Sequence, residues 1–143
     1  MSSGRREAVD RMHSAAIHLL RRVREVDEKA MGISPARASA LSVLVFGGTR
    51  SLTELAAAER VTSATMSKLV TAMEAEGLVR RHPDVNDARA IRIEATAKGR
   101  RILQRGRERR LDLFEELLAD ASEADISAVQ RAASVVERAI GSA

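Results

Sequence analysis

The chain has 143 residues, 45% of them hydrophobic, yet only two are aromatic, Phe46 and Phe114, and the net charge is +4. Cysteine, tryptophan and tyrosine are absent, which removes disulfides, cysteine nucleophiles, thiolate metal sites, cysteine-based redox sensing and most stacking platforms for single-stranded nucleic acid. That length suits one domain, or one domain with a dimerising extension, and a composition led by Ala, Leu, Val and Arg favours helices.

The N-terminal Met-Ser-Ser-Gly-Arg-Arg-Glu has no apolar run behind it, and nothing in the chain approaches the length of a membrane span, so a cytoplasmic protein is expected. The charge is unevenly spread. Residues 80–110 hold eleven basic and four acidic groups, a local +7, whereas residues 111–143 hold two basic and seven acidic, a local −5. A basic block of this density reads as a footprint for phosphates. The acidic segment would be repelled by DNA, so it should face away from it or pair with protein.

In chain order, Val9, Met12, Ala16, Leu19, Val23, Val26 and Ala30 step by three and four through residues 6–30, the narrow apolar seam of a long helix. His13 and His18 lie on it about 140° apart around the axis, so they cannot share a metal by themselves. Gly32-Ile33 breaks the helix, and Ser34-Pro35 starts another with an N-cap and a proline at N1. Ala38, Leu41, Leu44 and Val45 form its buried face, and Phe46-Gly47-Gly48 ends it. Ser51-Leu52-Thr53-Glu54 is a capping-box pattern opening a short helix from Leu52 to Glu59.

After Arg60-Val61, the stretch from Thr62 to about residue 76 repeats Met66, Leu69, Val70 and Met73 on one helical face, with Thr62 as N-cap and Gly77 as terminator. Its other face carries Ser63, Ser67, Lys68 and Thr71, the short polar and basic groups that a helix entering the major groove requires. Two short helices with a tight connection, the second presenting such a face, form a helix-turn-helix by pattern. Leu78 to His82 and Arg89 to Ala95 read as strands joined by the turn formers Pro83-Asp84-Val85-Asn86-Asp87-Ala88, a β-hairpin wing over about 78–95. Thr96 caps a long helix, basic in its first half and apolar with acidic interruptions in its second. Ser122 and Asp125 open a last helix on which Ile126, Val129, Ala133, Val136 and Ile140 repeat. The terminal helices carry apolar seams with little to cover them, and mutual burial between two chains answers that need.

This order resembles the MarR family of winged-helix transcriptional regulators over nearly the whole chain. The sharpest part is Gly77-Leu78-Val79-Arg80-Arg81, then Asp87-Ala88-Arg89-Ala90, then Thr96-Ala97-Lys98-Gly99. The resemblance implies a mainly α fold with a small β-hairpin wing, a winged helix-turn-helix at 34–98 between dimerisation helices at 1–33 and 99–143. It implies a homodimer on a pseudo-palindromic operator in double-stranded DNA, with half-sites about one helical turn apart. The DNA contacts it implies are Ser63, Thr65, Ser67, Lys68 and Thr71 on the recognition helix. On the wing they are Arg89, steadied by Asp87 and reaching into the minor groove, and Arg92. Ser51 and Thr53 at the start of the preceding helix are expected to donate to phosphates. Members often carry a second arginine where this chain has Ala88, and frequently an arginine where it has Lys68; lysine recognises a guanine edge with less directional preference. Small ligands often bind such proteins between the dimerisation helices and the winged region, which makes His18, Arg22, Arg37 and Leu41 candidate lining positions.

The leading expectation is a sequence-specific DNA-binding repressor, with release by a small molecule and an unliganded regulator both left open, and with no cofactor, no metal and no membrane association. The alternative is a winged-helix module that contacts protein without specific DNA binding, which would call for an apolar or acidic recognition face. An enzyme is not expected: no nucleophile–base pair, P-loop, metal-ligand spacing or dinucleotide loop is present.

Overall fold

A computed structural model of the chain describes residues 3–141; the outermost two residues of each predicted terminal segment lie outside that range. The elements are α1 (Ser3–Met31), α2 (Pro35–Gly47), β1 (Arg50–Ser51), α3 (Leu52–Ala58), α4 (Ser63–Ala75), β2 (Val79–Pro83), β3 (Ile91–Ala95), α5 (Ala97–Leu117) and α6 (Glu123–Gly141). The architecture is mainly helical with one antiparallel sheet ordered β1-β3-β2. Residues 1–110 form one compact unit and residues 111–143 a second. Among the described residues no single helix is long and apolar enough to cross a membrane.

The first unit is built on short-range signals that the structure realises closely. Ser34 caps α2 by accepting the Arg37 N–H at 3.3 Å, with Pro35 at the first helical position. Its far end is closed by Arg50, whose guanidinium donates to the carbonyls of Gly47 and Thr49, since the last carbonyls of a helix have no partner within it. Ser51 and Glu54 complete a reciprocal capping box at α3. The two-residue strand β1, absent from the sequence reading, pairs Arg50 with Ile93 and Ser51 with Arg92. That leaves β3 as the central strand. Two residues are too few to display an alternation, so nothing in the sequence announces them.

The core gathers beneath the helix-turn-helix. Leu41, Leu44, Leu55, Met66, Val70, Met73, Leu78, Val79 and Ile93 are all essentially sealed from solvent. Complete burial of each such side chain contributes about 1.5–3 kcal/mol, and in the absence of aromatics the unbranched methionines fill the irregular gaps. The tightest approach lies where the hairpin meets α5. Thr96 Oγ1 donates to the Gly77 carbonyl at 2.6 Å and accepts the Gly99 N–H at 3.1 Å. A Cβ at Gly99 would collide with the Leu78 carbonyl oxygen and come within 2.9 Å of Leu41 Cδ2. Further along α5, Gly106 leaves room for the Met31 side chain, and Arg110 donates to Asp27 Oδ1 at 2.6 Å.

Helix α1 buries only Met31, leaving Val9, Met12, Ile17 and Leu20 exposed. In the second unit, Ser122 and Asp125 cap α6 reciprocally, the Ser122 Oγ accepting the Asp125 N–H and the Asp125 carboxylate accepting from Ser122. The hydroxyl bond from Ser122, helped by its N–H, holds the Asp125 carboxyl below its usual range. Helix α6 has no buried residue, and Ile126, Val129, Val135 and Ile140 are exposed along it.

Because the obstruction at Gly99 is main chain, which cannot swing aside as a side chain can, Gly99→Ala should destabilise the fold by about 1–3 kcal/mol. Urea unfolding followed by circular dichroism measures this; an unchanged midpoint would show that the junction relaxes without cost.

Candidate nucleic-acid interface

Helices α3 and α4 end in the same motif and differ in one residue. At the end of α4, the Gly77 N–H bonds to the Glu74 carbonyl at 3.0 Å and the Leu78 N–H to the Met73 carbonyl at 2.9 Å, the Schellman pair. Gly77 has φ +75°, a conformation open to glycine at little cost. At the end of α3, Arg60 bonds to the Ala57 carbonyl and Val61 to the Ala56 carbonyl at 3.2 and 3.0 Å. There the left-handed position, φ +56°, is held by Arg60, the only non-glycine residue with positive φ among those described. The turn between the helices thus carries backbone strain and an exposed cation together.

Thr62 follows as N-cap of α4, accepting the Thr65 N–H at 3.1 Å. Met66, Val70 and Met73 then point into the core, which turns Ser63, Thr65, Lys68 and Thr71 outward, with Ser67 half-buried. Lys68 makes no hydrogen bond or ion pair among the described residues. Thr71 is committed to the fold: its hydroxyl donates to the Ser67 carbonyl at 2.9 Å and accepts from Arg81 Nη2 at 3.3 Å. Arg81 also pairs with Glu74 at 3.3 Å. These bonds tie the last turns of α4 to β2.

The wing is β2 and β3 in register from Val79↔Ala95 to Pro83↔Ile91, somewhat shorter at the β3 end than the sequence suggested. On its face Arg80 holds Glu94 at 2.8 Å, with His82 Nε2 3.4 Å from the same oxygen. The Arg80 bond, more than its charge or that of His82, keeps the Glu94 carboxyl below the ordinary value. The connecting loop, residues 84–90, is organised by two aspartates. Asp84 Oδ1 accepts the N–H groups of Asn86 and Asp87 at 2.8 and 3.2 Å, and Asp87 Oδ1 accepts the N–H of Arg89 at 3.0 Å. The sequence reading has Asp87 holding the guanidinium of Arg89; in the structure it holds the main chain instead, and the Arg89 side chain forms no ion pair among the described residues. A carboxylate two residues before an amide closes an Asx turn readily, which leaves the guanidinium directed by the loop alone.

Ser51 and Thr53 stand at the start of α3. The Ser51 Oγ accepts the Glu54 N–H at 3.1 Å, and Thr53 is exposed. Arg92, expected as a wing contact, is instead engaged from several sides. It donates to the Thr49 carbonyl at 2.9 Å and lies 3.4 Å from Glu54 and 3.6 Å from Asp84. The helix-turn-helix signals found the outward face of α4, but this clasp depends on residues 38 and 43 positions away, and no local pattern reveals it.

The four candidate ligand positions do not converge. Leu41 is fully enclosed in the core, at 0% exposure, where the close approach of α5 at Gly99 seals it. Arg37 is paired with Glu76 at 3.0 Å, while His18 and Arg22 are exposed on α1. A cleft of about 200 Å³ at the α1–α2 junction is lined by other residues, among them Arg24, Asp27, Met31 and Ile33. No group of three or more His, Cys, Asp or Glu side chains among the described residues is arranged to hold a metal.

Two helices joined by a tight turn, a third helix behind them and a sheet-built hairpin following the second define a winged helix-turn-helix. The model of the MarR family matches residues 31–90, the segment from the end of α1 through the wing loop. A MarR family protein from Bacillus stearothermophilus superposes with a TM-score of 0.80 at 25% identity, covering 99% of each chain. A transcriptional regulator from Thermotoga maritima gives 0.79 at 26% identity over 92% of this chain and 98% of its own. A MepR variant from S. aureus, bound to an oligodeoxyribonucleotide, has the same fold at 0.71 and 18% identity, over 94% of this chain and 96% of that one. Comparison with curated proteins gives no match. Residues 31–90 thus match the MarR family, and nearly the whole chain shares the winged helix-turn-helix fold of a MarR family protein and of a transcriptional regulator.

With the left-handed turn position held by arginine, Arg60→Gly should stabilise the fold by up to about 1 kcal/mol, the helical αL penalty less the entropy glycine adds to the unfolded chain. A shift of the unfolding midpoint to higher urea checks this; a lower midpoint would mean the Arg60 side chain contributes more than its backbone costs.

Proposed function

We propose that the chain is a homodimeric repressor that binds a pseudo-palindromic operator in double-stranded DNA and is released by a small molecule. The observation that carries this reading is the outward face of α4. There Ser63, Thr65 and Lys68 are exposed and polar, Lys68 has no acidic partner among the described residues, and the face rests on a rigid core. In this reading α4 enters the major groove, where Lys68 serves a guanine edge or a phosphate and the hydroxyls of Ser63, Thr65 and Ser67 meet base edges or phosphates, while Thr71 keeps its bonds to Ser67 and Arg81. Arg89, whose guanidinium pairs with no carboxylate among the described residues, reaches from the wing into a narrow minor groove with its enhanced negative potential, while Ser51 and Thr53 donate to phosphates at the start of α3. The oligodeoxyribonucleotide on the structurally similar MepR variant supports the same assignment of partner.

Dimerisation is supported by the apolar residues left exposed on α1 and on α6; two-fold symmetry then sets two recognition helices on half-sites about one helical turn apart. Bound across a promoter, the dimer excludes polymerase. Release follows if a ligand binds more tightly to a form in which the two helices no longer match that spacing. The protein-interaction alternative calls for an apolar or acidic recognition face, and the outward side of α4 is neither.

The deciding experiment is selection from a random duplex library with the purified protein at about 150 mM salt, followed by titration of the selected and a scrambled duplex. A symmetric motif bound about 10³-fold or more above scrambled DNA is expected. Weak, steeply salt-dependent binding to both duplexes would reduce the protein to nonspecific DNA coating, and no binding at all would favour the interaction module. On the selected duplex, Arg89→Ala should weaken binding and lower the salt slope by about one phosphate equivalent or less; unchanged affinity and slope would remove Arg89 from the interface. Lys68→Ala should narrow the gap between selected and scrambled DNA, whereas equal weakening on both would make Lys68 a phosphate contact only.

A further inference from the structure

The wing and the helix-turn-helix are separate in sequence, and one side chain links them. Arg92 lies on the central strand, between Ser51 of β1 and His82 of β2. Its Nη2 donates to the carbonyl oxygen of Thr49 at 2.9 Å and approaches the Thr49 hydroxyl at 3.4 Å. Its Nη1 lies 3.4 Å from Glu54 Oε2, the oxygen that also accepts the Ser51 N–H in the capping box of α3. Its Nε lies 3.6 Å from Asp84 Oδ2, while the other oxygen of Asp84 gathers the N–H groups of Asn86 and Asp87. Asp87 in turn holds the N–H of Arg89. An unbroken line of polar contacts therefore runs from the N-terminus of α3, through Arg92, to the backbone of the wing residue that carries the free guanidinium.

We propose that Arg92 is a positioning residue for DNA recognition: it fixes the wing loop against the start of α3, and thereby sets the distance between Arg89 and the helix-turn-helix, without itself touching DNA. The proposal rests on the reading of the wing as a DNA contact. Two features separate Arg92 from a phosphate ligand. Its charge is already answered by two carboxylates, Glu54 and Asp84, and its side chain is only 24% exposed. Guanidinium suits the role because its planar fork presents five donors in fixed directions, enough for a carbonyl and two carboxylates at once; an ammonium has no such fork. Without the link, the Asx turns of the wing loop are no longer anchored to α3 and open more often, so Arg89 must be ordered at the moment of binding, at a cost in affinity.

The test uses the full-length protein with Arg92→Gln, Asp84→Asn and the double variant, titrated against the selected and the scrambled duplex over a range of salt. Thermal melts first establish that each variant is folded at the assay temperature, so that a loss of affinity is not a loss of fold. Both single variants should weaken binding to the selected duplex by about tenfold, and the double variant should be little worse than the poorer single one, because all three break one linkage. The salt slope should stay at the wild-type value. Amide hydrogen exchange at Asn86, Asp87 and Arg89 should accelerate in the variants without DNA present. A slope reduced by about one, with equal weakening on scrambled DNA, would make Arg92 a phosphate contact and overturn the proposal. So would unchanged affinity, or strictly additive losses. Should the wild-type protein bind neither duplex, the DNA-binding reading itself fails, and unchanged exchange at the wing amides would then also refute the link.

Discussion

The close approach of α5 to the turn that follows α4 is the constraint from which the rest of the molecule takes its geometry. Helix α5 can begin there only because Gly99 offers no side chain to the Leu78 carbonyl, and because Thr96 satisfies both the Gly77 carbonyl and the Gly99 amide. Lys98 adds a third bond, donating to the Glu76 carbonyl at 2.8 Å. Together these groups close the end of α4 with partners drawn from α5. The orientation of α4, and hence the direction of its polar face, follows from how its last turn is held. A helix end left without such partners would fray, and the outward face would lose its definition with it.

The core beneath that junction is chemically plain. Leucine, isoleucine, valine, methionine and alanine fill it without any aromatic side chain, and no polar or charged residue is buried among those described. Directional bonds are therefore found at the rim: the capping box at Ser51, the Arg81–Glu74 pair, the Arg80–Glu94 pair and the Arg92 linkage. Nonpolar burial holds the helices together, while the rim fixes the angle at which the hairpin leaves them. Exposed pairs of this kind add little stability one by one, so their weight lies in geometry more than in energy.

Much of this was legible in the chain itself because the signals are local. Ser34-Pro35, Ser51 with Glu54, Thr62 and Ser122 with Asp125 all act as caps within three or four residues of their partners. The apolar repeats located α1, α4 and α6 to within a few residues. What the sequence left unseen is long-range or too brief to have a period. Strand β1 is two residues long, and Arg92 acts through Glu54 and Thr49, far away along the chain. The resemblance makes Leu41 a lining position, yet a tertiary approach at Gly99 encloses it. The sequence suggests that Asp87 steadies the guanidinium of Arg89, whereas the bond joins its carboxylate to the Arg89 amide, a choice that only loop geometry settles.

Helix α6 has no buried residue along its 19 positions, although it repeats apolar side chains through most of its length. A helix in that condition draws little of its stability from its own chain. Where the cover is a second copy, the order of α6 becomes a function of how much protein is present, because association and folding then share one equilibrium. Dilution would loosen the terminal helix before it disturbed the core beneath α4, and cellular proteases act on segments that open first. A chain covered in that way would carry its own gauge of abundance, with scarce molecules the ones most exposed to removal.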